Sequence, residues 1–554
     1  MVDSRAEELC RIGDRLFSKL SGYFGLCQEI AENFYPVRAD YSGFTDPYSN
    51  FATYVQDGYP VIWTEQLASA IPAMLRQGQW FTVGSGDASL DERPNVSRAL
   101  KQATRLMRQQ IYARGSNWDH ATLEADRDWI TAGQPVLSIQ ENRERTQFVF
   151  RAYHPKNVAW LADDLNRPIA YFIKLAMTAR NIVKAKQWGR FNGTVSPEIE
   201  QAARLTPDQE FPLYQVLIPA DELYAADHKR QRQVGGRYVS CYIDRSHKGY
   251  LHEGSMPVLN IVAPAYRRLS GMTRGFSPAC WNALADARML QAMALTIIEQ
   301  AEKAVDPPMA MSHEAFTRDI SLMSGGVTFA DLGESGDIRK AMQVIETSNN
   351  FSIGLDLKQD VRQAIAESLM INKLTMPSVR EMREVEVMAR LEEFRRAALP
   401  FFTPIEQEYH TQVLGLLFDM MQARGVFPPG MFPQELAEAD EVKFTFVTPL
   451  NETDGRKQVE AFMTAIQLTA SASEVDQTVS NLWNVRGELT RALTGAGIAP
   501  ENIKTDDELA EADAKAQAEK DFTQAAALGQ QGAGVIADLS NASLAAAQAQ
   551  AVGA

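Results

Sequence analysis

The sequence lacks the patterns that mark disulfide-bonded, zinc-ribbon and membrane proteins. It has only four cysteines in 554 residues, and no two of them form a CxxC pair. No run of about eighteen apolar residues occurs, and the N-terminal residues are charged where a signal peptide needs its apolar stretch. We therefore expect a soluble protein that stays in the cytoplasm where it is made. Its free thiols are predicted at Cys10, Cys27, Cys241 and Cys280.

Catalytic and metal-binding motifs are missing as well. No GxxxxGK[ST] loop occurs, and the nearest glycine loop, GESGDIRK at 333–340, lacks the spacing and the Lys-Ser/Thr end, so we interpret it as a surface loop. The seven histidines form no HExxH motif, and for His247 and His252 near Cys241 we favour a structural role over a metal site. No GxSxG elbow is present. The sequence thus predicts no catalytic residue, no metal and no cofactor.

Length and charge set further limits. A chain of 554 residues should divide into two to four regions, each with its own core. The net charge of −15 argues against a protein that binds nucleic acid along an extended basic surface, because such binding depends on clustered Lys and Arg. Any contact with DNA should therefore be local.

The N-terminal third is predicted to begin with helices. Apolar residues recur at three- and four-residue steps over 6–35, which predicts one helix that ends at Pro36. Further helices are expected at 62–77 and 96–113. From Pro135 to about Pro264, short runs rich in β-branched and aromatic residues alternate with turn residues. This region is predicted to be an α+β domain with a mostly antiparallel sheet and a helix at 178–187.

Two long helices are predicted next, one on each side of a small module. The first follows Ser277 and Pro278, a favourable helix start, and stops before Pro307 and Pro308. The second runs over 354–371. Their apolar side chains repeat at helical spacing: Trp281, Leu284, Leu290, Met293, Ile297, Leu357, Val361, Ile365 and Leu369.

The rest of the chain is predicted to be mainly helical. After a break at 372–380, a helix over 381–399 should continue to Arg424, with Pro404 interrupting or kinking it. A strand is expected at 442–450 and helix again over 455–495. The Ala- and Gln-rich tail at 505–554 either forms a helix packed against copies of itself or stays mobile.

This order of elements resembles the head-to-tail connector, or portal, family of short-tailed DNA bacteriophages. The longest matching stretch, at 271–311, holds Gly275, Ser277 and Pro278, a long helix, and the pair Pro307 and Pro308. A second stretch has the spacing of Met, three residues, Glu-Val and Arg, although Arg-Glu-Val stands where the family usually has Thr-Ala-Thr. The residues of that second motif are Met382, Glu386, Val387 and Arg390. Stretches at 77–84, 116–141 and 151–164 agree with the family too.

The resemblance implies a fold that is mainly α with an α+β wing domain, assembled as a ring around a central channel. The implied parts are a wing at 1–276, a stem helix at 277–305, a clip at 306–352, a returning stem helix at 353–371, a tunnel loop at 372–380, an inner wing helix and strand at 381–450, a crown at 451–504 and the tail at 505–554.

The segment at 372–380 has two interpretations. It is either an ordinary connection between helices or, as the resemblance implies, a loop that narrows the channel. In the second case Lys373 and Arg380 are candidates for weak, sequence-independent phosphate contacts. The predicted tunnel-loop residues are Asn372, Lys373, Leu374, Thr375, Met376, Ser378 and Arg380.

The resemblance also implies the partners. They are further copies of the chain, about twelve in a ring, double-stranded DNA in the channel, a terminase motor that supplies ATP hydrolysis, tail adaptors, major capsid and scaffolding proteins, and internal core proteins; no membrane is involved. The expected location is the portal vertex of the virion, and the host cytoplasm during assembly.

Two charged stretches and two other functions remain as alternatives. The acidic run at 506–520 is interpreted as the solvated face of a helix rather than as a surface that repels DNA. For the basic run at 227–237 we favour a wing loop that contacts a neighbour over a DNA patch. An enzyme, such as a nuclease or packaging ATPase, would need motifs that we do not find. Another virion structural or scaffold-like protein would not be expected to have two long helices around a compact module.

Overall fold

The computed structural model describes most of the chain and divides it into two compact units. The described residues are 4–42, 55–91, 93–142, 144, 146–224, 236–305, 309–311, 342–344, 351–371, 393, 396–433, 442–446, 452–473 and 485–495. The first unit comprises residues 1–83, 102–431 and 442–450, and the second comprises 84–101, 432–441 and 451–554.

The chain begins with two helices, α1 (Ser4–Lys19) and α2 (Ser21–Phe34), where the sequence predicted one. At Leu20 the backbone leaves helical geometry with ψ of 0°, and its N–H bonds to the carbonyl of Phe17, three residues back. Ser21 and Gly22 follow, and both are weaker helix formers than the residues around them. The predicted end before Pro36 is correct.

Three longer helices follow within 59–131. Helices α3 (Tyr59–Leu75) and α5 (Pro94–Ile111) lie close to the predicted spans, with a short α4 (Ala88–Asp91) before α5. Helix α6 (Trp118–Thr131) was not predicted. Most of its residues are buried on every side, including two aspartates. It therefore has no one-sided apolar stripe of the kind that reveals a surface helix in a sequence.

A five-stranded antiparallel sheet forms the centre of the first unit. Its strands lie side by side in chain order: β4 (Val158–Ala162), β5 (Pro168–Thr178), β6 (Glu210–Pro219), β7 (Tyr238–Asp244) and β8 (Gly249–Met256). Alternation along β5 buries both faces: Phe172 packs in the core with α1 and α2, whereas Tyr171 and Ile173 pack in a second core on the other side. Helices α7 (Ala179–Gln187) and α8 (Pro197–Leu205) connect β5 to β6, and a short α9 (Ala220–Leu223) follows β6.

Two smaller sheets complete the β structure of this unit. Strand β2 (Val136–Glu141) lies between β3 (Phe148–Tyr153) and the short β9 (Ile261–Val262), and both pairings are antiparallel. Strand β1 (Phe81–Gly84) pairs with β12 (Lys443–Phe446), the strand predicted near the C-terminal end. The α+β texture and the mostly antiparallel sheet are thus confirmed.

The two predicted long helices are present as an antiparallel pair. Helix α10 (Pro278–Val305) has 28 residues, about 42 Å at 1.5 Å per residue, and begins at the predicted position. Helix α11 (Phe351–Ser368) begins three residues before the predicted start. Gly354 therefore lies inside its first turn, where a Cβ would be 3.7 Å from the side chain of Ile297. Beyond the two helix ends, β10 (Met309–Met311) pairs antiparallel with β11 (Met342–Val344).

The helix after residue 396 continues through Pro404. Directly after the proline it widens into a π-helix at Ile405–His410 and then becomes α12 (Thr411–Arg424). Proline removes one backbone donor, and a π segment is one way for a helix to accommodate that loss. Helix α12 ends at Gly425, whose φ of 70° is the left-handed cap that glycine favours.

The second unit contains α4, the first part of α5, and two packed helices, α13 (Glu452–Ser473) and α14 (Val485–Gly495). Both lie in the span predicted to be helical. The predicted C-terminal tail at 505–554 lies outside the described residues.

The four cysteines are buried and free, as predicted. Among the described helices, none is both long enough and apolar enough to cross a membrane.

Candidate functional site

The candidate site is the α10–α11 helix pair together with the contacts that attach it to the sheet domain. The attachment begins with a tight turn before α10. A Cβ on Gly275 would lie 2.7 Å from the Cβ of Ala265 and 2.8 Å from the carbonyl oxygen of Gly133, so only glycine fits there. Gly133 itself has φ of 75°, and a Cβ there would collide with the backbone of Phe276. The two glycine turns interlock, which fixes where α10 starts.

A buried arginine strengthens this turn. Arg274 stacks over the ring of Trp160, with its guanidinium carbon 3.6 Å from the ring centre, and donates a hydrogen bond to the carbonyl of Val158. Burial lowers the pKa of Arg274 to about 10, so the group stays charged at neutral pH. The start of α10 is thereby attached to β4.

The apolar residues predicted to repeat at helical spacing along the two helices are only partly enclosed. Trp281, Met293 and Ile297 are half-buried. Leu357 is the exception to the prediction, since 50% of its surface is exposed. It lies on the second turn of α11. The predicted residues that are buried are Leu284, Leu290, Val361, Ile365 and Leu369.

A buried residue, Asp57, joins both helices to the segment before α3 through its carboxylate and its backbone. Asp57 Oδ2 lies 2.9 Å from Lys358 Nζ and 2.6 Å from Arg362 Nη2, both on α11. From α10, the Gln291 side-chain oxygen accepts the backbone N–H groups of Gln56 and Asp57 at 2.7 and 2.9 Å. Gln291 also donates to the Asp57 carbonyl at 3.0 Å. One short segment therefore joins α3, α10 and α11.

The charge state of Asp57 follows from this arrangement. Burial alone would raise the pKa of its carboxyl, but the hydrogen bonds from Lys358 and Arg362 outweigh burial, and the pKa is lowered. The carboxylate is therefore ionised at neutral pH. Its contribution to stability is present above the unfolded pKa and is lost as the pH falls through the lower folded pKa.

Two further buried ion pairs hold α6 in the domain. Asp126, fully buried, accepts from Arg76, which follows α3, with one contact of 3.3 Å between Nη1 and Oδ1. Asp128 accepts from Arg38 Nε at 3.0 Å. Burial would lower the pKa of each guanidinium, but the facing carboxylate raises it, so both arginines remain charged. A buried carboxylate of this kind needs a cation, since an unpaired buried charge is very costly.

An aromatic stack joins α6 to the π-helix. The Trp129 ring lies 5.0 Å from the Tyr266 ring and 5.6 Å from the Tyr409 ring, nearly parallel to both. Next to Tyr409, the buried His410 packs against Trp80 at 4.9 Å, and burial holds the pKa of this imidazole well below its usual value. His410 is therefore neutral and forms part of an apolar core.

Sequence reasoning missed Asp57, Asp126 and Asp128. No local signal marked the last two, because the residues between Trp118 and Trp129 are mostly polar. Their cations lie 50 and 90 residues away along the chain, so no local spacing reveals the pairs.

Several predicted residues cannot be placed. The tunnel-loop candidates, Asn372, Lys373, Leu374, Thr375, Met376, Ser378 and Arg380, lie outside the described residues. The same is true of the family-motif residues Pro307, Pro308, Met382, Glu386, Val387 and Arg390, and of the GESGDIRK loop.

The histidine near the end of β7 has a structural setting. His247 lies between two carboxylates, 2.6 Å from Asp244 Oδ2 and 2.7 Å from Glu198 Oε2. Hydrogen bonding to these carboxylates, first of all to Asp244, raises the pKa of His247. Within the part of the chain that the structure describes, no group of three or more His, Cys, Asp or Glu side chains is arranged to hold a metal ion.

These contacts attach a long helix pair to a folded domain at one end. Comparison with known proteins agrees with this picture. Over 424 residues the chain is 24% identical to a protein described as "Probable portal protein" from Bordetella phage BPP-1, which covers 74% of this chain and 69% of that relative. The family described as "Bacteriophage head to tail connecting protein" matches residues 7–487. The chain therefore belongs to the bacteriophage head to tail connecting protein family.

Proposed function

We propose that copies of this chain assemble, about twelve together, into a closed ring at one vertex of a phage capsid, and that the ring is the DNA channel for packaging and ejection. Membership of the head to tail connecting family gives the chain its portal role. What we propose in addition is the closed ring, its number of subunits and its DNA channel.

The observation that carries this proposal is the surface of the helix pair. Away from the contact between the two helices, large apolar side chains of both are exposed in the single chain. Leu295 and Ile298 are neighbours one helical turn apart, and apolar patches on a protein surface mark interaction sites. In a closed ring each subunit presents two different faces, and neighbouring helix pairs would bury these residues. The exposed residues are Met289, Leu295, Ile298, Leu355 and Leu357.

The parts of the ring are assigned from the order of elements. Residues 1–276 would form the wing, α10 the stem and α11 the returning stem. The segment at 306–352 would be the clip, with the β10–β11 pairing at its base. The remaining assignments are the tunnel loop at 372–380, the inner wing at 381–450, the crown at 451–504 and the tail at 505–554.

Charge suits a channel that passes DNA without retaining it. Strong basic lining would add affinity and salt dependence with each phosphate contact. Twelve acidic subunits would give a ring of about −180, which would repel the duplex from the walls, while Lys373 and Arg380 would make weak phosphate contacts. A charge map of the assembled ring checks this idea, and a mainly positive bore would contradict it.

The ring would be a passive conduit in the virion, built in the host cytoplasm. The family is structural, so ATP hydrolysis would come from a separate terminase motor. Tail adaptors, major capsid and scaffolding proteins, and internal core proteins would be its other partners. The purified chain is expected to show neither nuclease nor ATPase activity.

The experiment is negative-stain electron microscopy and native mass spectrometry of the purified full-length chain. Rings with a central hole and about twelvefold symmetry are expected, at a mass that is the corresponding multiple of 61.6 kDa. Filaments, shells or a strictly monomeric protein at micromolar concentration would refute the proposal.

A further inference from the structure

An open cleft of about 960 Å³ lies in the first unit, apart from the helix pair. One wall is α12 with the end of the π-helix. The other is formed by the start of β5, the start of β7 and the segment at 257–262. Both walls therefore belong to the first unit.

The cleft is rich in arginine and tyrosine. Arg167, Arg237 and Arg268 line it, together with Tyr171 and Tyr238. The Arg237 guanidinium lies 5.6 Å from the centre of the Tyr238 ring. Arginine and tyrosine are the residue types most enriched at the energetic centres of protein interfaces, because both offer large contact area and directional hydrogen bonds.

Among the residues that the structure describes, an acidic partner lies close to Arg268 alone of these three arginines. Arg268 Nη2 lies 3.7 Å from Glu408 Oε2, and Asp419 is the other acid in the lining. Arg167 and Arg237 are exposed, and neither makes an ion pair with any residue that the structure describes. Two guanidinium groups are thus available at the mouth of the cleft for carboxylates from outside.

The charge of the chain indicates what would supply those carboxylates. At −15, another copy presents a mainly acidic surface, so a locally basic cleft is electrostatically complementary to it. The basic run at 227–237, interpreted from the sequence as contacting a neighbour, ends at Arg237 in the cleft. In a closed ring every subunit needs one receiving face and one inserting face.

We propose that this cleft is a receiving site for the neighbouring subunit of the ring, in which Arg167 and Arg237 pair with carboxylates of an acidic segment of that second copy. The inference rests on the proposed ring assembly and adds to it the surface that receives the neighbour. Exposed arginine–carboxylate pairs weaken with salt, so the contribution of the cleft should fall as ionic strength rises.

The test compares two double variants of the full-length chain with matched changes in charge. R167E/R237E reverses the cleft, whereas R180E/K184E reverses two exposed or half-buried cations on α7, at the far end of β5. Ring formation is measured against protein concentration by native mass spectrometry and sedimentation, in about 0.05 M and 0.5 M salt. The half-assembly concentration is the protein concentration at which half of the chains are in rings. At low salt we expect it to rise at least tenfold for the cleft variant and less than twofold for the α7 variant.

The outcomes separate the two proposals. If the unaltered chain forms no rings, the ring proposal itself fails. If it forms rings and R167E/R237E assembles equally well, or if both variants lose assembly alike, the cleft inference is overturned and the ring remains. Rings of R167E/R237E that form normally but fail to enter capsids would also overturn it, in favour of a different acidic partner.

A milder variant guards against a folding defect. If R167E/R237E melts well below the unaltered chain, R167Q/R237Q removes the charges without adding carboxylates. It should shift the half-assembly concentration in the same direction by about threefold while its melting temperature is unchanged. No shift in this folded variant would contradict the cleft inference.

Discussion

Helix α6 and the α10–α11 pair differ in how completely a single chain buries them. Most residues of α6 are buried on all sides, and its carboxylates are matched by Arg38 and Arg76. The helix pair is buried near the domain but leaves Met289 and Leu357 in solvent. The first helix is completed inside one subunit. The helix pair leaves large apolar side chains uncovered, which the proposed ring would bury.

The comparison implies that the two regions should respond differently to mutation. Changes in α6 should reduce the stability of the single chain. Changes at the exposed apolar residues of the helix pair, such as Met289 and Leu357, should leave the single chain intact and weaken assembly. Changes at the buried residues of the pair, such as Ile365, and at Asp57 should reduce the stability of the single chain.

The largest effect is expected from R76M. It removes the cation from the fully buried Asp126, and breaking a buried pair in this way costs about 3–5 kcal/mol of unfolding free energy. Urea unfolding followed by circular dichroism measures it. R127A is the matched control, since the Arg127–Glu65 pair is partly exposed to solvent and should cost at most about 1 kcal/mol. Equal losses in the two variants would remove the distinction drawn for α6.

The helix pair is tested by I365A against L357A. Ile365 is fully buried, and its truncation should lower the unfolding free energy by about 2–5 kcal/mol. Leu357 is half exposed, so L357A should stay within about 0.5 kcal/mol in the monomer. L357A should nevertheless raise the half-assembly concentration of the ring. If it left assembly unchanged, the exposed face would have no role in the ring.

An intermediate effect is expected from D57N, which neutralises the clamp between the segment before α3 and α11. Loss of charged hydrogen bonds to Lys358 and Arg362 should cost about 1–3 kcal/mol at pH 7. Because the pKa of Asp57 is lowered, the difference between the variant and the unaltered chain should shrink as the pH falls below about 4. Denaturant unfolding at pH 7 and pH 3.5 checks both statements, and a difference that grew in acid would contradict the clamp.

The smallest effect is expected at His247, on the edge of the sheet domain. Its folded pKa is raised by Asp244 and Glu198, so its stabilising contribution is complete below the unfolded pKa near 6.5 and is lost as the pH rises through the folded value. H247Q should therefore differ from the unaltered chain by less than about 1 kcal/mol, and more at pH 5.5 than at pH 8.5. A pH-independent difference would show that only packing is affected.

Much of the fold could be predicted from local signals. The pair Ser277 and Pro278 located the start of α10, and short runs rich in β-branched and aromatic residues located β5 and β7. The one predicted N-terminal helix proved to be two, because the break at Leu20 changes the backbone without changing the apolar periodicity. Helix α6 was missed for the opposite reason, since burial on every side leaves no periodicity to detect.

The candidate site was predictable only in part. The apolar spacing identified the helix pair, yet it could not show that Ile365 is enclosed while Leu357 is exposed, because both occupy equivalent positions in the repeat. Which positions are covered depends on how far along the pair the domain core extends. The spacing within one helix carries no information about that.

The sequence by itself determined where most of the helices and strands lie, that the chain is acidic, and which family it resembles, because these follow from local propensity, periodicity and ordered motifs. Only the tertiary structure decided the partners. Arg362 pairs with Asp57 across 305 residues, and Arg167 and Arg237 line one cleft although they are far apart in the sequence. A buried carboxylate must find a cation, but the sequence does not say which one, since the choice depends on elements brought together by packing of the whole unit.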